Sequence, residues 1–154
     1  MYFAASGIYY DDVFIQSYET TNNGLMVFYL GKRSSSHVLL QSPGDTVNNG
    51  QMCFRKHNYH QTSNIAGSGC FTALEGGSIY FYDPDRIFGA NLSFYLADAA
   101  SFMVVGNIKT GYTFKVYGFG NGNKIGFNTH IPIYNDPIYS YDEKTGVLTL
   151  TNRD

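Results

Sequence analysis

The sequence has no tryptophan, only two cysteines and few charged side chains. Lys, Arg, Asp and Glu make up 14% of its 154 residues, well below the roughly 25% typical of soluble domains. The ten basic residues are scattered, and the formal net charge is -2 at pH 7. A nucleic-acid-binding protein is expected to carry a basic patch. The composition therefore argues against nucleic acid as a partner.

The chain also lacks a targeting or membrane-spanning pattern. The first residues carry no positive segment, and their apolar residues are interrupted by Ser6, Gly7, Asp11 and Asp12. A secretory signal needs a basic start and a continuous apolar core, and a membrane helix needs about 20 apolar residues. We therefore expect a protein made in the cytoplasm without a signal peptide and not inserted into a membrane.

Two cysteines do not make a disulfide framework.

The sequence also lacks helical periodicity, because no segment repeats apolar residues at the spacing of an amphipathic helix. The chain instead has 14 Tyr, 12 Phe and 17 Gly, residue types that favour strands and tight turns. About ten short runs of strand length are separated by turn signals. This pattern predicts a single all-β domain over residues 1–154, an antiparallel β-sandwich or barrel with short hairpins.

Residues 77–118 hold the densest run of β-branched and aromatic residues and predict a meander on which the other strands pack. The cluster TTNNG at 20–24 predicts a hairpin turn, and the apolar run Leu25 to Leu30 predicts a strand covered on both faces. Residues 56–69 predict a long polar loop. A C-terminal hairpin is expected from Ile138–Tyr141 and Val147–Thr151.

Side chains expected in or near the core share apolar alternation within these strand-like runs. They are Leu25 to Leu30, Ile79, Phe81, Met103, Val105 and Val116.

Four potential metal ligands, Cys53, His57, His60 and Cys70, fall within one predicted strand-loop-strand unit. Zinc prefers tetrahedral sets of such atoms, but this spacing matches neither a CxxC knuckle nor a zinc finger. The alternative is two structural thiols in strands and two solvated loop histidines. We favour the alternative and expect no metal or other cofactor.

Catalytic patterns are equally weak. The stretch around Ser68 lacks the frame of a nucleophile elbow, and Asp83 and Asp85 flank a proline as in an ordinary type I turn. We therefore expect a protein that is not an enzyme.

Two tyrosine pairs are the strongest candidates for a contact surface. Tyr80 and Tyr82 lie two residues apart, as do Tyr139 and Tyr141, so each pair shares one face of a strand. Tyrosine buries its ring while its hydroxyl keeps polar contacts, which suits protein and sugar surfaces. The alternative is that these rings cover the second face of the sheet within the same chain.

The segment NGLMVFY at 23–29, the Tyr/Asp hairpins and the C-terminal pattern YDxxTGVLTL at 141–150 resemble small β-rich virion proteins of tailed bacteriophages, especially tail-tip and fibre-associated ones. This resemblance implies a structural or adaptor component of a virion. Such a component would dock to other virion proteins or to copies of itself, with a trimer as the expected symmetry.

Two other functional classes stay open. A carbohydrate- or receptor-binding β-sandwich would use the same tyrosines and the loop at 56–69 to contact a cell-surface glycan or receptor. A small metal-dependent enzyme built on the Cys/His cluster is the less favoured alternative.

Overall fold

The structure is a computed structural model that describes residues 1–6, 12–88, 91–108, 111–128 and 139–150, without the side chain of Leu150. Apart from one short 3-10 turn, Pro84–Arg86, every regular element in these ranges is a β-strand. No helix in the described part of the chain is long and apolar enough to span a membrane.

The strands are numbered along the chain. They are β1 (Tyr2–Ala5), β2 (Val13–Gln16), β3 (Thr20–Asn22), β4 (Leu25–Leu30), β5 (His37–Gln41), β6 (Asp45–Asn48), β7 (Gln51–Arg55), β8 (Asn58–His60), β9 (Asn64–Ala66), β10 (Cys70–Leu74), β11 (Ser78–Phe81), β12 (Ser93–Leu96), β13 (Phe102–Gly106), β14 (Lys115–Tyr117), β15 (Lys124–Asn128), β16 (Tyr139–Asp142) and β17 (Val147–Leu150).

The first fifteen strands form a parallel β-solenoid. Sheet A has the order β1-β4-β7-β10-β12-β14, and sheet B has the order β15-β13-β11-β8-β5-β2. A third, three-stranded sheet C contains β3, β6 and β9. The chain visits the sheets in turn, so each coil adds one strand to sheet A and one to sheet B. Every strand pair within these three sheets is parallel.

The coils differ in length. Leu25 lies beside Gln51 in the next coil, and Gln51 lies beside Cys70 in the coil after that. The segment from Leu25 to Gln51 is clearly longer than the segment from Gln51 to Cys70, although each makes one full coil. The solenoid therefore repeats in space without a fixed period in the sequence.

Side chains alternate between the interior of the solenoid and its outer surface, as the two-residue period of a strand requires. In β4, Met26, Phe28 and Leu30 are buried, whereas Val27 and Tyr29 face outward and are only partly buried. Equivalent inward residues of successive coils stack on one another. The rings of Phe28 and Phe54 lie 5.5 Å apart with an interplanar angle of 7°. These stacks bury apolar area without any helix.

The corner before sheet A is built from small and amide side chains. Asn22 and Asn48 are buried one above the other, and a glycine precedes the sheet A strand in three successive coils, at Gly24, Gly50 and Gly69. A Cβ at Gly50 would lie 2.0 Å from the carbonyl oxygen of Gly24. Glycine is required there because the backbones of adjacent coils approach too closely for a side chain.

The all-β class is confirmed, but the antiparallel sandwich or barrel is wrong. The predicted meander at 77–118 does not exist, because β11 and β13 belong to sheet B whereas β12 and β14 belong to sheet A. The predicted hairpin turn at 20–24 contains the strand β3 and the corner of the solenoid that connects it to β4. Turn residues and short strands have the same composition in both architectures, so this signal does not separate a hairpin from a coil corner.

Three smaller predictions have mixed outcomes. The run Leu25 to Leu30 is not covered on both faces, and Leu25 is 54% exposed. The predicted loop at 56–69 contains β8 and β9. The C-terminal hairpin is confirmed, since β16 pairs antiparallel with β17. Its predicted end residues Ile138 and Thr151 lie outside the described residues.

The expected core is otherwise confirmed. Ile79, Phe81, Met103 and Val105 are fully buried, whereas Val116, in a strand at the edge of sheet A, is only partly buried against the core.

Candidate functional surfaces

The two cysteines lie on the outer face of sheet A, not in its core. Cys53 pairs with Thr72 and Cys70 pairs with Gln51, so the thiols sit on neighbouring strands two positions apart. Both are free and partly buried, and the sulfur of Cys70 lies 3.7 Å from Oγ1 of Thr72. Burial raises the pKa of the Cys53 thiol, and the neighbouring Cys70 adds to this shift. A raised pKa keeps the thiol protonated and weakly nucleophilic.

The two histidines of the predicted cluster are separated from the cysteines and from each other. His57 is buried at the corner between β7 and β8, whereas His60 lies on the outer face of sheet B. Within the described residues, no group of three or more His, Cys, Asp or Glu side chains could hold a metal ion. The four residues Cys53, His57, His60 and Cys70 therefore form no common site.

A second histidine arrangement lies on the outer face of sheet B. The rings of His37 and His60 are 4.3 Å apart between centroids, and the ring of Tyr80 lies 4.8 Å beyond His60. Asp12 lies at the other end, with Oδ1 3.5 Å from Nδ1 of His37. The same oxygen accepts the backbone N–H of His37 over 2.7 Å. Burial lowers the pKa of His60, and the neighbouring His37 lowers it further.

The sequence reasoning overlooked His37 and Asp12. Asp12, His37 and His60 are far apart along the chain, and only the register of adjacent coils brings the three together. Leu39 pairs with His60, which places His37 on a diagonal to it. A diagonal neighbour on the same face of a sheet is within reach of aromatic side chains.

The two tyrosine pairs occupy different environments. Tyr80 is partly buried against His60, whereas Tyr82, just after β11, is 57% exposed. In the C-terminal hairpin, Tyr139 and Tyr141 are 63% and 58% exposed. Tyr141 pairs with Leu148, and paired residues of an antiparallel hairpin share one face. That face is apolar and exposed. The predicted role of the four tyrosines in an interface stays a prediction.

Further aromatic side chains lie on the outer face of sheet A. Tyr2, Tyr95 and Tyr117 are exposed. The guanidinium carbon of Arg55 lies over the ring of Tyr29, 5.0 Å from the ring centroid. These side chains are spread along the sheet from β1 to β14.

Fold and surface together define a parallel β-solenoid whose interior is filled by stacked side chains and whose outer faces carry thiols, imidazoles and tyrosines. The family model described as Hyphally regulated cell wall protein N-terminal matches residues 1–153. The chain belongs to this family.

Similar proteins come from Candida albicans. Cell wall protein RBR3 is 42% identical over 156 residues, which cover 99% of this chain and 10% of the relative. Hyphally regulated cell wall protein 3 is 43% identical over 152 residues, 97% of this chain and 12% of the relative. Cell wall protein IFF7 is 38% identical over 157 residues, 98% of this chain and 22% of the relative. The chain thus spans between about a tenth and a fifth of the curated relatives it matches. No solved structure matches it.

These similarities overturn the resemblance to bacteriophage virion proteins. The relatives are fungal cell wall proteins, so the expected location in a virion and the expected role in a phage tail are wrong. The alternative of a carbohydrate- or receptor-binding β-sandwich is not supported either, because the fold is a solenoid. The short YDxxTGVLTL pattern that suggested phage proteins is a hairpin with a Gly turn, and such hairpins occur in unrelated β proteins. The expected trimer loses its basis with the phage resemblance.

Proposed function

We propose that this chain is a non-catalytic, stiff structural module of a fungal cell wall protein, located outside the cell. The observation that carries the proposal is the packed solenoid interior formed by the described residues, in a chain whose relatives are named cell wall proteins. Fully buried side chains such as Phe28, Phe54, Phe71 and Phe81 fill the space between the sheets. A packed interior resists deformation, and each coil is hydrogen-bonded to its neighbours, so the module keeps its length under load.

The positions of the titratable groups also support a structural role. The side chains of Cys53 and His60, which have shifted pKa values, lie on different sheets, and no three potential metal ligands in the described ranges converge. An active site usually gathers such groups in one cleft.

Location is tested with the full-length natural protein carrying an internal epitope tag. After membranes are removed with detergent, the tag is expected in the insoluble wall fraction, whereas a tagged cytosolic protein is expected in the extract. Recovery of the tagged protein in the detergent extract would contradict the proposed location.

The absence of catalysis is tested by incubating the purified chain with isolated wall material. Release of soluble sugar in proportion to the protein concentration would overturn the non-catalytic role.

The partner we propose for this module is a second copy of the same chain, contacted through the C-terminal hairpin. Tyr139, Tyr141 and Leu148 expose one apolar face, and a two-stranded hairpin is marginally stable without a covering surface. Light scattering after size-exclusion chromatography should show a dimer or larger oligomer that Tyr139→Ser with Tyr141→Ser dissociates. Tyr18→Ser, which changes a tyrosine that is 81% exposed elsewhere, is the matched control. A monomer at high micromolar concentration would contradict this contact.

A further inference from the structure

The cluster of His37, His60 and Asp12 on the outer face of sheet B has the parts of a small metal site. His37 begins β5 and His60 ends β8, and the register of these parallel strands brings their rings to a centroid distance of 4.3 Å. The imidazole of His60 lies between the rings of His37 and Tyr80. Both imidazoles point to the outside of the solenoid, where an ion from solution can reach them.

The ring separation suits two nitrogen ligands of one ion. Two metal–nitrogen bonds of about 2.0–2.1 Å at a tetrahedral angle place the nitrogens roughly 3.3 Å apart. Rings whose centroids are 4.3 Å apart are close enough for one nitrogen of each to bind the same ion.

Asp12 orients one of the two rings. Its carboxylate lies 3.5 Å from Nδ1 of His37 and is itself fixed by the backbone N–H of that residue. A carboxylate that accepts the N–H of one ring nitrogen leaves the lone pair on the other nitrogen, and metal-binding histidines usually have such a partner. Asp12 therefore leaves Nε2 of His37 as the ligand atom.

We propose that Nε2 of His37 and one ring nitrogen of His60 form a two-histidine site for a borderline divalent transition-metal ion, with water completing the coordination. Imidazole ligands suit copper, zinc and nickel, and among these ions copper(II) is bound most tightly. The neutral imidazole ring is the form that binds a metal. The site uses two protein ligands, which agrees with the finding that no three such groups converge in the described ranges.

The alternative role of His37, His60 and Tyr80 is purely structural. In it, their rings pack against one another on adjacent strands and bind no ligand. Ring contacts of this kind give a sheet modest stabilisation. The two alternatives differ in what the histidine variants do to metal affinity.

Isothermal titration of the tag-free chain with copper(II) and with zinc(II), in a buffer that does not bind metal, tests the proposal. We expect one ion per chain, with copper bound more tightly than zinc. His37→Ala and His60→Ala should each weaken binding at least tenfold. Asp12→Asn should weaken it by about tenfold, as expected when the partner of a ligating histidine is lost. Gln41→Ala is the control, since it changes an exposed side chain at the other end of the strand that begins with His37.

Two further readouts separate the proposed site from unspecific binding. The electron paramagnetic resonance spectrum of the copper-loaded chain should show two nitrogen ligands, and the spectrum of His60→Ala should lose one of them. Circular dichroism of each variant confirms that the strands persist. Binding that is absent, or that is equally strong in His37→Ala and His60→Ala as in the parent, would overturn the proposal and leave the ring stack as the role of these side chains.

Discussion

The side chain of Asn22 lies directly over that of Asn48 in the next coil, and Nδ2 of Asn22 donates a hydrogen bond to Oδ1 of Asn48 over 2.8 Å. Nδ2 of Asn48 in turn donates to the carbonyl oxygen of Cys70 over 3.1 Å. Both amides are buried. The two side chains thus satisfy buried polar groups at the corner where the chain passes from sheet C to sheet A.

Replacing Asn48 with alanine should lower the free energy of unfolding by about 2 kcal/mol, because it leaves the amide of Asn22 and the carbonyl of Cys70 buried without this partner. Asn49→Ala is the matched control in the same turn. Asn49 is exposed, and its amide bonds the exposed side chain of Asn23. We expect that control to stay within about 0.5 kcal/mol of the parent. Equal losses in the two variants, measured by urea denaturation, would contradict the role of the buried pair.

The close approach of adjacent coils makes a second prediction. Gly50→Ala should destabilise the chain by about 2 kcal/mol or more, since the new Cβ would lie 2.0 Å from a backbone oxygen that cannot move aside. Gly24→Ala is the control, because nothing lies within 4 Å of a Cβ at that position. Thermal unfolding of the two variants checks this difference. A Gly50→Ala variant as stable as Gly24→Ala would show that the coils are not stacked as described.

Replacing Tyr59 with phenylalanine, unlike the two substitutions above, should leave the stability of the chain unchanged or raise it. Its ring is fully buried between Phe54 and Phe71, and its hydroxyl has no hydrogen-bond partner among the described residues. Burial raises the pKa of Tyr59 far above its ordinary value. Removing an unsatisfied buried hydroxyl relieves a desolvation penalty, so Tyr59→Phe should unfold at an equal or higher temperature than the parent. A loss of more than about 1 kcal/mol would mean that the hydroxyl has a partner.

The two cysteines should remain free thiols even in an oxidising environment. Cys53 and Cys70 are diagonal neighbours, and such neighbours typically lie about 7–8 Å apart, beyond the usual range of a disulfide. We expect mass spectrometry of the folded chain, alkylated without reduction after exposure to air, to find two modified cysteines. Cys53 should react more slowly than it does in the unfolded chain because its pKa is raised. A linked pair would contradict the described register of β7 and β10.

Sequence reasoning reached the all-β class and most of the core because both depend on local alternation. Phe81, Met103 and Val105 are buried in a solenoid as they would be in a sandwich. It missed the parallel topology because the unequal lengths of successive coils hide the repeat. It also missed the pair of His37 and His60, since only the register between coils brings these residues together. The Cys/His cluster, weighed as a metal site and not favoured, does not come together, because its cysteines lie on sheet A, His60 on sheet B and His57 at a corner between them.

The central claim is that successive coils stack in parallel register, and a distance series along sheet A tests it most directly. Tyr2, Tyr95 and Tyr117 lie on one outward row of that sheet, separated by the strand order β1-β4-β7-β10-β12-β14. Cys53 and Cys70 are replaced by Ala, and spin labels are attached at cysteines introduced in pairs. One pair replaces Tyr2 and Tyr95, and the other replaces Tyr2 and Tyr117. Strands spaced by about 4.8 Å predict backbone separations of about 19 Å and 24 Å. Pulsed electron paramagnetic resonance should therefore give two narrow distributions whose centres differ by about 5 Å, one strand spacing. Distances that are equal, inverted or broadly spread would contradict the solenoid.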